Sequence, residues 1–407
     1  MKKSESMREW KEVLLGELIE IVNGFAFKSN NFLTEKVENS LPVIKIKNVA
    51  SGQVTLNDVQ YHIFDKNHER FLVERNDILI ALTGNHPHTL TQVVGEVSLS
   101  KLDDKALLNQ RVAKIKPKSK ILNSFLYYFL KDDGTHDYLA SQSAGSANQA
   151  NISKKNIEDV PINLPSLSEQ RAIASILSSL DDKIDLLHRQ NKTLEQMAET
   201  LFRQWFVEEA EEGWGEVKVG DFVKTNVNTA NKSYPYDLIQ YLDTGSLTNG
   251  RIEAIQEIEL SDAPSRAKRL VEHNDVLIST VRPNQKHYGI IKNPAKNLVV
   301  STGFCVISCQ DIDPHFIYLL LTSNEMTEHL HAIAEGSTST YPSLKPSDIE
   351  AVEFLKPPQE KLSAFAEFAK KIWDKIDYNQ IQISTLEKLR DTLLPKLLSG
   401  EIRLESI

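Results

Sequence analysis

The sequence has few of the residues that build cross-linked or metal-bound folds. Its 407 residues include only two cysteines, Cys305 and Cys309, in the strand-like stretch "GFCVISC". Four steps along an extended strand exceed the span of a disulfide, so both thiols are expected to be free. No other Cys or His cluster has ligand spacing, and a structural zinc site is not expected.

Long apolar runs and catalytic motifs are also missing. The lysines after Met1 lead into "SESMREWKE", and no stretch approaches a membrane span, which predicts a soluble, cytoplasmic protein. There is no Asn-Pro-Pro-aromatic or Asp-Pro-Pro-Tyr motif for amino-methyl transfer; "NPAK" at Asn293 lacks the aromatic residue. There is no GxxxxGKS/T nucleotide loop. The sequence therefore predicts no catalytic residue, no metal site, and no methyl donor or ATP bound by this chain.

An excess of basic residues, common in simple DNA-binding proteins, is absent as well. The net charge is −9. Residues 1–165 are almost neutral, with 21 Lys and Arg against 20 Asp and Glu, whereas residues 166–212 carry 5 against 10 and residues 213–357 carry 13 against 18. We therefore expect the isolated chain to bind DNA weakly.

What the sequence does contain is a long internal repeat. "WKEVLLGEL" at Trp10 matches "WGEVKVGDF" at Trp214, and "ERNDILIALTG" at Glu74 matches "EHNDVLISTVR" at Glu272. Two further pairs follow in the same order, "GSANQANISKKNIEDV" with "GSTSTYPSLKPSDIEAV" and "KIDLLHRQNKTLE" with "KIDYNQIQISTLE". The period is far longer than that of a solenoid, so a domain followed by a helix has been duplicated.

Each copy changes character once. Short apolar runs separated by turn residues indicate a mixed α/β (α+β) domain, and the periodicity then becomes helical after a proline. The predicted fold has two such globular domains separated by two long helices. The predicted boundaries are residues 1–165 for the first domain, 166–212 for the central spacer helix, 213–357 for the second domain and 358–407 for the C-terminal spacer helix.

The helical segments carry a narrow apolar stripe with alternating four- and three-residue spacing, which is typical of a coiled-coil seam. In the first helix the predicted seam residues are Ile173, Leu177, Leu180, Ile184, Leu187, Asn191 and Leu194; in the second they are Ile372, Ile376, Asn379, Ile383 and Leu386. Helices of about 40 residues would be ~60 Å long and could hold the two domains apart. The alternative is that each stripe packs only on its own domain.

The simplest arrangement is an antiparallel pair related by a pseudo-twofold axis. An axis near residue 189 would bring Asn191 and Asn379 face to face, and a buried asparagine pair fixes register. The alternative is that these asparagines face solvent. Pro395 lies in the last turns of the second helix, which is expected to kink or end near it.

The order of these motifs resembles the specificity subunit of Type I restriction-modification systems. The resemblance rests on "W..V.LG", "NDIL", "NQRV" at Asn109, a "GS" loop, "IEDVPINLP", "EQRAIASIL" and "LDDKID", and it extends over nearly the whole chain. It implies two target recognition domains, each reading one half of a bipartite, asymmetric DNA site. By the same resemblance, the helices would set the half-site spacing and dock two methylation subunits.

The resemblance also implies the partners of this chain and the subunits that bind the cofactors. The partners would be double-stranded DNA, the methylation subunits and, through the complex, restriction subunits, with a role in host defence. S-adenosylmethionine and ATP with Mg²⁺ are expected on the partner subunits, and none of them on this chain.

Reading residues must lie on turns and match base edges: Arg or Lys for guanine, and Asn or Gln for adenine. The candidates in the first domain are Lys28, Asn30, Asn85, His86, His88, Ser146, Asn148 and Gln149. The candidates in the second domain are Arg282, Asn284, Gln285, Lys286 and His287 in "VRPNQKHYG", and Ser337, Thr338, Ser339, Thr340 and Tyr341 in "EGSTSTYP". Arg266, Lys268 and Arg269 in "SRAKRL" could hold phosphates. The alternative for every one of these segments is an ordinary solvated surface.

Two other classes of function are compatible with parts of the pattern. A stand-alone sequence-specific DNA-binding regulator would bind its site strongly as an isolated chain. A coiled-coil scaffold would not bind DNA even with methylation subunits present.

Overall fold

The computed structural model describes residues 10–49, 52–84, 94–146, 149–231, 234–337 and 341–404, and it divides into two compact units. The first unit comprises Met1–Asp185 and Ser384–Ile407, and the second comprises Leu186–Ile383. Each unit therefore combines one globular domain with a segment of each long helix.

The first unit is a mixed α/β structure built on short strands. Its strands are β1 (Lys11–Leu14), β2 (Ile19–Asn23), β3 (Ser40–Ile44), β4 (Gln60–Ile63), β5 (Leu72–Val73), β6 (Ile78–Ala81), β7 (Thr83–Gly84), β8 (Val97–Leu99), β9 (Ala106–Leu108), β10 (Val112–Pro117), β11 (Ala144–Ser146), β12 (Gln149–Asn151) and β13 (Pro161–Leu164). Its short helices are α1 (Asn123–Lys131), α2 (Asp133–Ser141) and α3 (Lys154–Glu158).

The second unit repeats this composition. Its strands are β14 (Glu216–Lys218), β15 (Val223–Thr225), β16 (Leu238–Leu242), β17 (Leu247–Thr248), β18 (Arg251–Ile252), β19 (Gln256–Glu259), β20 (Ala267–Leu270), β21 (Val276–Ser279), β22 (Tyr288–Ile290), β23 (Leu298–Ser301), β24 (Phe304–Cys309) and β25 (Glu353–Leu355). Its short helices are α5 (Pro314–Thr322), α6 (Asn324–Glu335) and α7 (Pro346–Glu350). The two long helices are α4 (Leu167–Arg203), followed by a π-helical turn at Gln204–Glu208, and α8 (Gln359–Leu398).

The main sheets have the same strand order in both units. The order β2-β10-β6-β8 in the first unit corresponds to β15-β24-β21-β22 in the second, and β4-β3-β9-β5 corresponds to β19-β16-β23-β20. In the second pair of sheets, β3 runs parallel to β9 and β16 runs parallel to β23. The duplication seen in the sequence is therefore present in the strand topology, as predicted for two globular α/β domains.

The proline before α4 is followed by a capping box. The Ser166 hydroxyl accepts from the Glu169 N–H at 3.3 Å, and the Glu169 carboxylate accepts from the Ser166 N–H at 3.1 Å. The next residue, Gln170, is fully buried, and its amide bonds the backbone of Leu122, Lys120 and Pro165. Ser166 and Glu169 thus cap the start of α4, and Gln170 fixes the helix to the first domain.

The core of each unit includes residues from both long helices. In the first unit, Ile173 and Leu177 of α4 belong to one cluster with Leu394 and Leu397 of α8. In the second unit, the equivalent cluster contains Ala198 and Phe202 of α4 and Phe365, Ala369 and Ile372 of α8. All twelve predicted seam residues are buried or half-buried. The helix α8 ends at Leu398, within one turn of Pro395.

The asparagines at the predicted seam are in contact within the second unit. Asn379 Nδ2 donates to Asn191 Oδ1 at 2.8 Å, and the two residues are 0% and 8% exposed. Asn379 Oδ1 is buried without a partner among the described residues, so the pair forms one hydrogen bond. A polar contact therefore interrupts an apolar stripe.

A second polar contact joins three elements of the first unit. Asp181 of α4 accepts from Arg390 Nη1 of α8 and from the Tyr128 hydroxyl of α1, both at 2.9 Å. The Arg390 and Asp181 side chains are 17% and 16% exposed. Arg390, a polar residue on the apolar stripe, is thus paired with an acid on the facing helix.

Two further expectations concern the thiols and the membrane. Cys305 and Cys309 are both free. Of the helices in the described parts of the chain, none combines the length and the apolar character needed to cross a bilayer.

The asparagine contact predicts a stability cycle. Asn191→Leu should destabilise the chain by about 1–3 kcal/mol, because the Asn379 amide is left buried without a partner. The double variant with Asn379→Leu should recover most of that loss, since both polar groups are gone. Thermal and urea unfolding of the full chain measure both effects. Gln190→Leu, at an exposed position of α4, is the control. A double variant no more stable than the single one would contradict the pairing.

Candidate nucleic-acid interface

In the second unit, the loop after β21 has a tightly constrained backbone. Arg282 adopts a left-handed conformation with φ 49°, a 3-10 turn follows at Pro283–Gln285, and Lys286 is left-handed again with φ 56°. The buried Pro283 anchors the turn, and Asn284 and Gln285 are exposed at its tip. Left-handed non-glycine residues are unfavourable and often occur where function requires them.

Arg282 is held against a second candidate residue. Its backbone N–H donates to the Pro342 carbonyl at 3.0 Å, and its guanidinium carbon lies 4.9 Å from the centre of the Tyr341 ring. Tyr341 is 56% exposed. The loop and the "EGSTSTYP" segment therefore meet, and the stacked guanidinium is a planar donor fork that matches the edge of guanine.

Other polar residues of this loop have internal partners. Lys286 Nζ donates to Asn324 Oδ1 at 2.8 Å, and His287 Nδ1 lies 2.8 Å from the Leu247 carbonyl. Ser337 Oγ lies 3.5 Å from Ser343 Oγ. Lys286 and His287 thus support the shape of the loop, whereas Arg282, Asn284 and Gln285 are the exposed candidates.

The basic segment lies beside the same edge. The Arg266 carbonyl accepts from the Thr302 N–H at 2.7 Å, and the adjacent Gly303 carbonyl accepts from the Thr280 N–H at 2.8 Å, two residues before Arg282. Lys268 is exposed on β20, as is Arg266 just before the strand. Arg269 is half-buried, and its Nε has no partner among the described residues. The Arg266 backbone is thus connected, through Thr302 and Gly303, to the strand end that leads into the loop.

The first unit has an equivalent edge. Its strand β7 pairs with β12, which pairs with β11, so the "GSANQAN" hairpin meets the end of the strand that leads into "GNHPHT". Gln149 lies in β12, and Lys28 and Asn30 are exposed at the 3-10 turn Ser29–Asn31. Several candidates lie outside the described residues, namely Asn85, His86, His88, Asn148, Thr338, Ser339 and Thr340, and the side chains of Ser146 and Gln149 are likewise not described.

Two exposed residues at this edge, Gln110 and Arg111, were not among the residues predicted from the sequence to contact DNA. The Leu82 N–H donates to the Arg111 carbonyl at 2.9 Å, and the Gln110 N–H donates to the Phe25 carbonyl at 3.0 Å. The approach is close, because a Cβ on Gly24 would lie 2.1 Å from the Asn109 carbonyl oxygen. The signal in the sequence was the polar "NQR" step between two apolar strands.

Carboxylates of α4 lie near the loop in the second unit. Burial raises the pKa of Glu195 to about 7, and the Glu199 carboxylate adds to the rise. Burial also raises the pKa of Glu199, which the charge of Lys286 partly offsets. The pKa of Tyr288, in the strand after the loop, is raised by burial to about 12, with contributions from both acids. Within the described residues, no group of three or more His, Cys, Asp or Glu side chains could hold a metal ion.

Comparisons with known proteins agree on one family. The model of the Type I restriction modification DNA specificity domain matches residues 7–196 and 211–393. The MjaIX specificity subunit of a Type I restriction enzyme from Methanocaldococcus jannaschii is 27% identical over 435 residues, covering 98% of each chain. The StySPI specificity subunit from Salmonella potsdam is 22% identical, covering 97% of this chain and 89% of that protein.

A solved structure has a similar fold. The S subunit of a Type I restriction-modification system from M. genitalium aligns with a TM-score of 0.56 at 17% identity, covering 98% of both chains. Two globular units with matching sheets, each presenting polar side chains at one edge, define a modular DNA-recognition protein. The chain belongs to the Type I restriction-modification DNA specificity family. Its relatives are named specificity subunits, which are the non-catalytic, DNA-binding components of these complexes. They support this function over a stand-alone regulator or a scaffold.

The raised pKa of Glu195 predicts a pH-dependent stability difference. The folded chain keeps this carboxyl protonated up to a pH of about 7, whereas in the unfolded chain it ionises near its ordinary value of 4.5, so folding is opposed increasingly as pH rises between these values. Glu195→Gln should therefore unfold at a higher temperature than the wild type at pH 8, with the difference shrinking toward pH 5. Glu212→Gln, at an exposed acid, is the control. A difference that is independent of pH would contradict the assignment.

Proposed function

We propose that each unit reads one half of a bipartite, asymmetric DNA site. The observation that carries the proposal is that both units have the same sheet order while the polar side chains at the equivalent edge differ. One backbone frame with two sets of donors and acceptors would recognise two different half-sites, since base identity is read by side chains at groove edges.

In this proposal the long helices form an antiparallel coiled coil with a pseudo-twofold axis, set the half-site spacing and dock two methylation subunits. The contacts within each unit support it. In the first unit, Asp181 pairs with Arg390, and in the second, Asn191 pairs with Asn379. The residue numbers rise on one helix as they fall on the other, as an antiparallel pair requires. The buried asparagines would fix the register on which the spacing depends.

The proposal assigns the chemistry to other chains. S-adenosylmethionine and ATP with Mg²⁺ would bind the methylation and restriction subunits, and the complex would act in the cytoplasm on double-stranded DNA. The net charge of −9 supports this division, because a chain without an excess of cations would need partners to supply phosphate contacts.

Exchange of one domain tests the modular reading. Replacing residues 213–350 with the equivalent segment of another specificity subunit should change one half of the methylated motif and leave the other half and the spacing unchanged. The measurement is sequencing of methylated positions in DNA from a host that expresses the chain with its methylation subunit. The chain expressed without that subunit is the control and should methylate nothing. Changes in both halves, or in neither, would reject the modular assignment.

The loop geometry predicts one position of the second half-site. Arg282→Ala should relax recognition at a single guanine, with a loss of discrimination of about 1–3 kcal/mol, because the bidentate donor fork is removed. Methylation rates on substrates that vary at each position of the motif measure the loss. Arg251→Ala, which removes an exposed cation on β18, is the matched control. If every site variant is methylated as by the wild type, the loop is only a solvated turn.

A further inference from the structure

The strand ladders that frame the polar edge have the same register in both units. In the first unit, the last residue of β6, Ala81, is opposite Val112 at the start of β10. In the second, the last residue of β21, Ser279, is opposite Phe304 at the start of β24. Positions beyond these pairs can therefore be matched one by one.

The next backbone contact matches Arg111 with a glycine. Leu82, which follows β6, donates its N–H to the Arg111 carbonyl at 2.9 Å, and Thr280, which follows β21, donates its N–H to the Gly303 carbonyl at 2.8 Å. Arg111 and Gly303 each directly precede the strand that receives the pairing. Arg111 and Gly303 therefore occupy equivalent positions in the two units.

Two residues after the donor of this contact, the first unit has a glycine and the second has an arginine, the reverse of what they have at the acceptor position. Gly84 lies two residues beyond Leu82 and is paired with Ala150. Arg282 lies two residues beyond Thr280 and donates its N–H to the Pro342 carbonyl at 3.0 Å. At these two matched positions each unit thus has one arginine, on the first strand end in the second unit and on the facing strand in the first.

Packing disfavours a side chain at position 303, on the facing strand of the second unit. A Cβ at Gly303 would lie 2.8 Å from the Thr244 methyl group, closer than such atoms approach. Thr244 is β-branched and has few rotamers that could make room. At the matched position on the other strand end, Arg282 is exposed and has a left-handed backbone.

Arg111 has the properties expected of a residue that contacts DNA. Its side chain is exposed, and no described residue forms an ion pair with its guanidinium. The surrounding turn is rigid, since Gln110 is bonded to Phe25 and Gly24 packs directly on the Asn109 carbonyl. A fixed backbone with a free planar cation suits a guanine edge or a phosphate.

We propose that Arg111 contacts DNA in the half-site read by the first unit, in the role that Arg282 has in the second. This inference rests on the proposed function and adds a specificity-determining residue to it. Arg111 precedes β10 in the first unit, and Arg282 follows β21 in the second. The two arginines thus lie on facing strand ends at the equivalent edge of the two units.

The test uses the full chain expressed with its methylation subunit, and methylated positions are sequenced. Arg111→Ala should either relax one position of the first unit's half-site by roughly 5- to 150-fold, if the contact is to a base edge, or slow methylation of every site with the motif intact and a shallower salt dependence, if it is to a phosphate. Arg111→Lys separates these outcomes, because it preserves a phosphate contact but lacks the bidentate fork.

Arg75→Ala is the matched control in the same unit, since Arg75 is exposed but paired with Asp103 at 2.6 Å. Wild-type motif, rate and salt dependence in a folded Arg111→Ala chain would overturn the inference, as would a change confined to the half-site of the second unit. If the wild-type complex itself methylated no bipartite motif, the proposed function would be wrong. If the wild-type complex gave such a motif and Arg111→Ala left it unchanged, only the inference about Arg111 would be wrong.

Discussion

Burial of the apolar stripes on α4 and α8 is the constraint on which both units depend. Each stripe packs partly on the core of a globular domain and partly on the other long helix, and burial of apolar surface is the dominant favourable term in folding. In the first unit, Ile173 and Leu177 are covered partly by Leu394 and Leu397 from the end of the chain. The first unit is consequently discontinuous in sequence, and its core is complete only when the C-terminal helix has returned to it.

The polar groups on the stripes act differently from the apolar ones. A half-buried ion pair such as Asp181 with Arg390 contributes little net stability, because desolvation offsets the attraction, but a shifted register would separate its two charges. The Asn191–Asn379 contact follows the same logic with neutral amides. In the proposed antiparallel pair, apolar residues would thus supply the stability, whereas these polar pairs would make one register preferable to its neighbours.

Sequence analysis identified the features that repeat with a period. The seam residues follow helical spacing, and the duplicated domains follow from colinear motifs, so both could be predicted without coordinates. Arg111 was missed because its place at the edge depends on which strands pair and in which register, which no local pattern specifies. Lys286 was predicted as a reading residue from its charge and its place in a polar loop after a strand, and in the structure its ammonium group is bonded to Asn324. Whether a polar side chain is free or internally satisfied is decided by tertiary contacts.

The frame and the reading side chains are physically separable. The contacts between strand ends include backbone hydrogen bonds, such as that from the Leu82 N–H to the Arg111 carbonyl, and most substitutions leave such a bond intact because its donor and acceptor are backbone groups. Arginine can therefore stand at position 111 in one unit and at position 282 in the other without altering the sheet order. An individual base contact supplies only about 1–3 kcal/mol of discrimination, so a half-site must be read by several such side chains together. A chain with a net charge of −9 is expected to add little non-specific affinity to that sum, so in the proposed function selectivity would depend on the exposed polar groups at the edges of the two sheets.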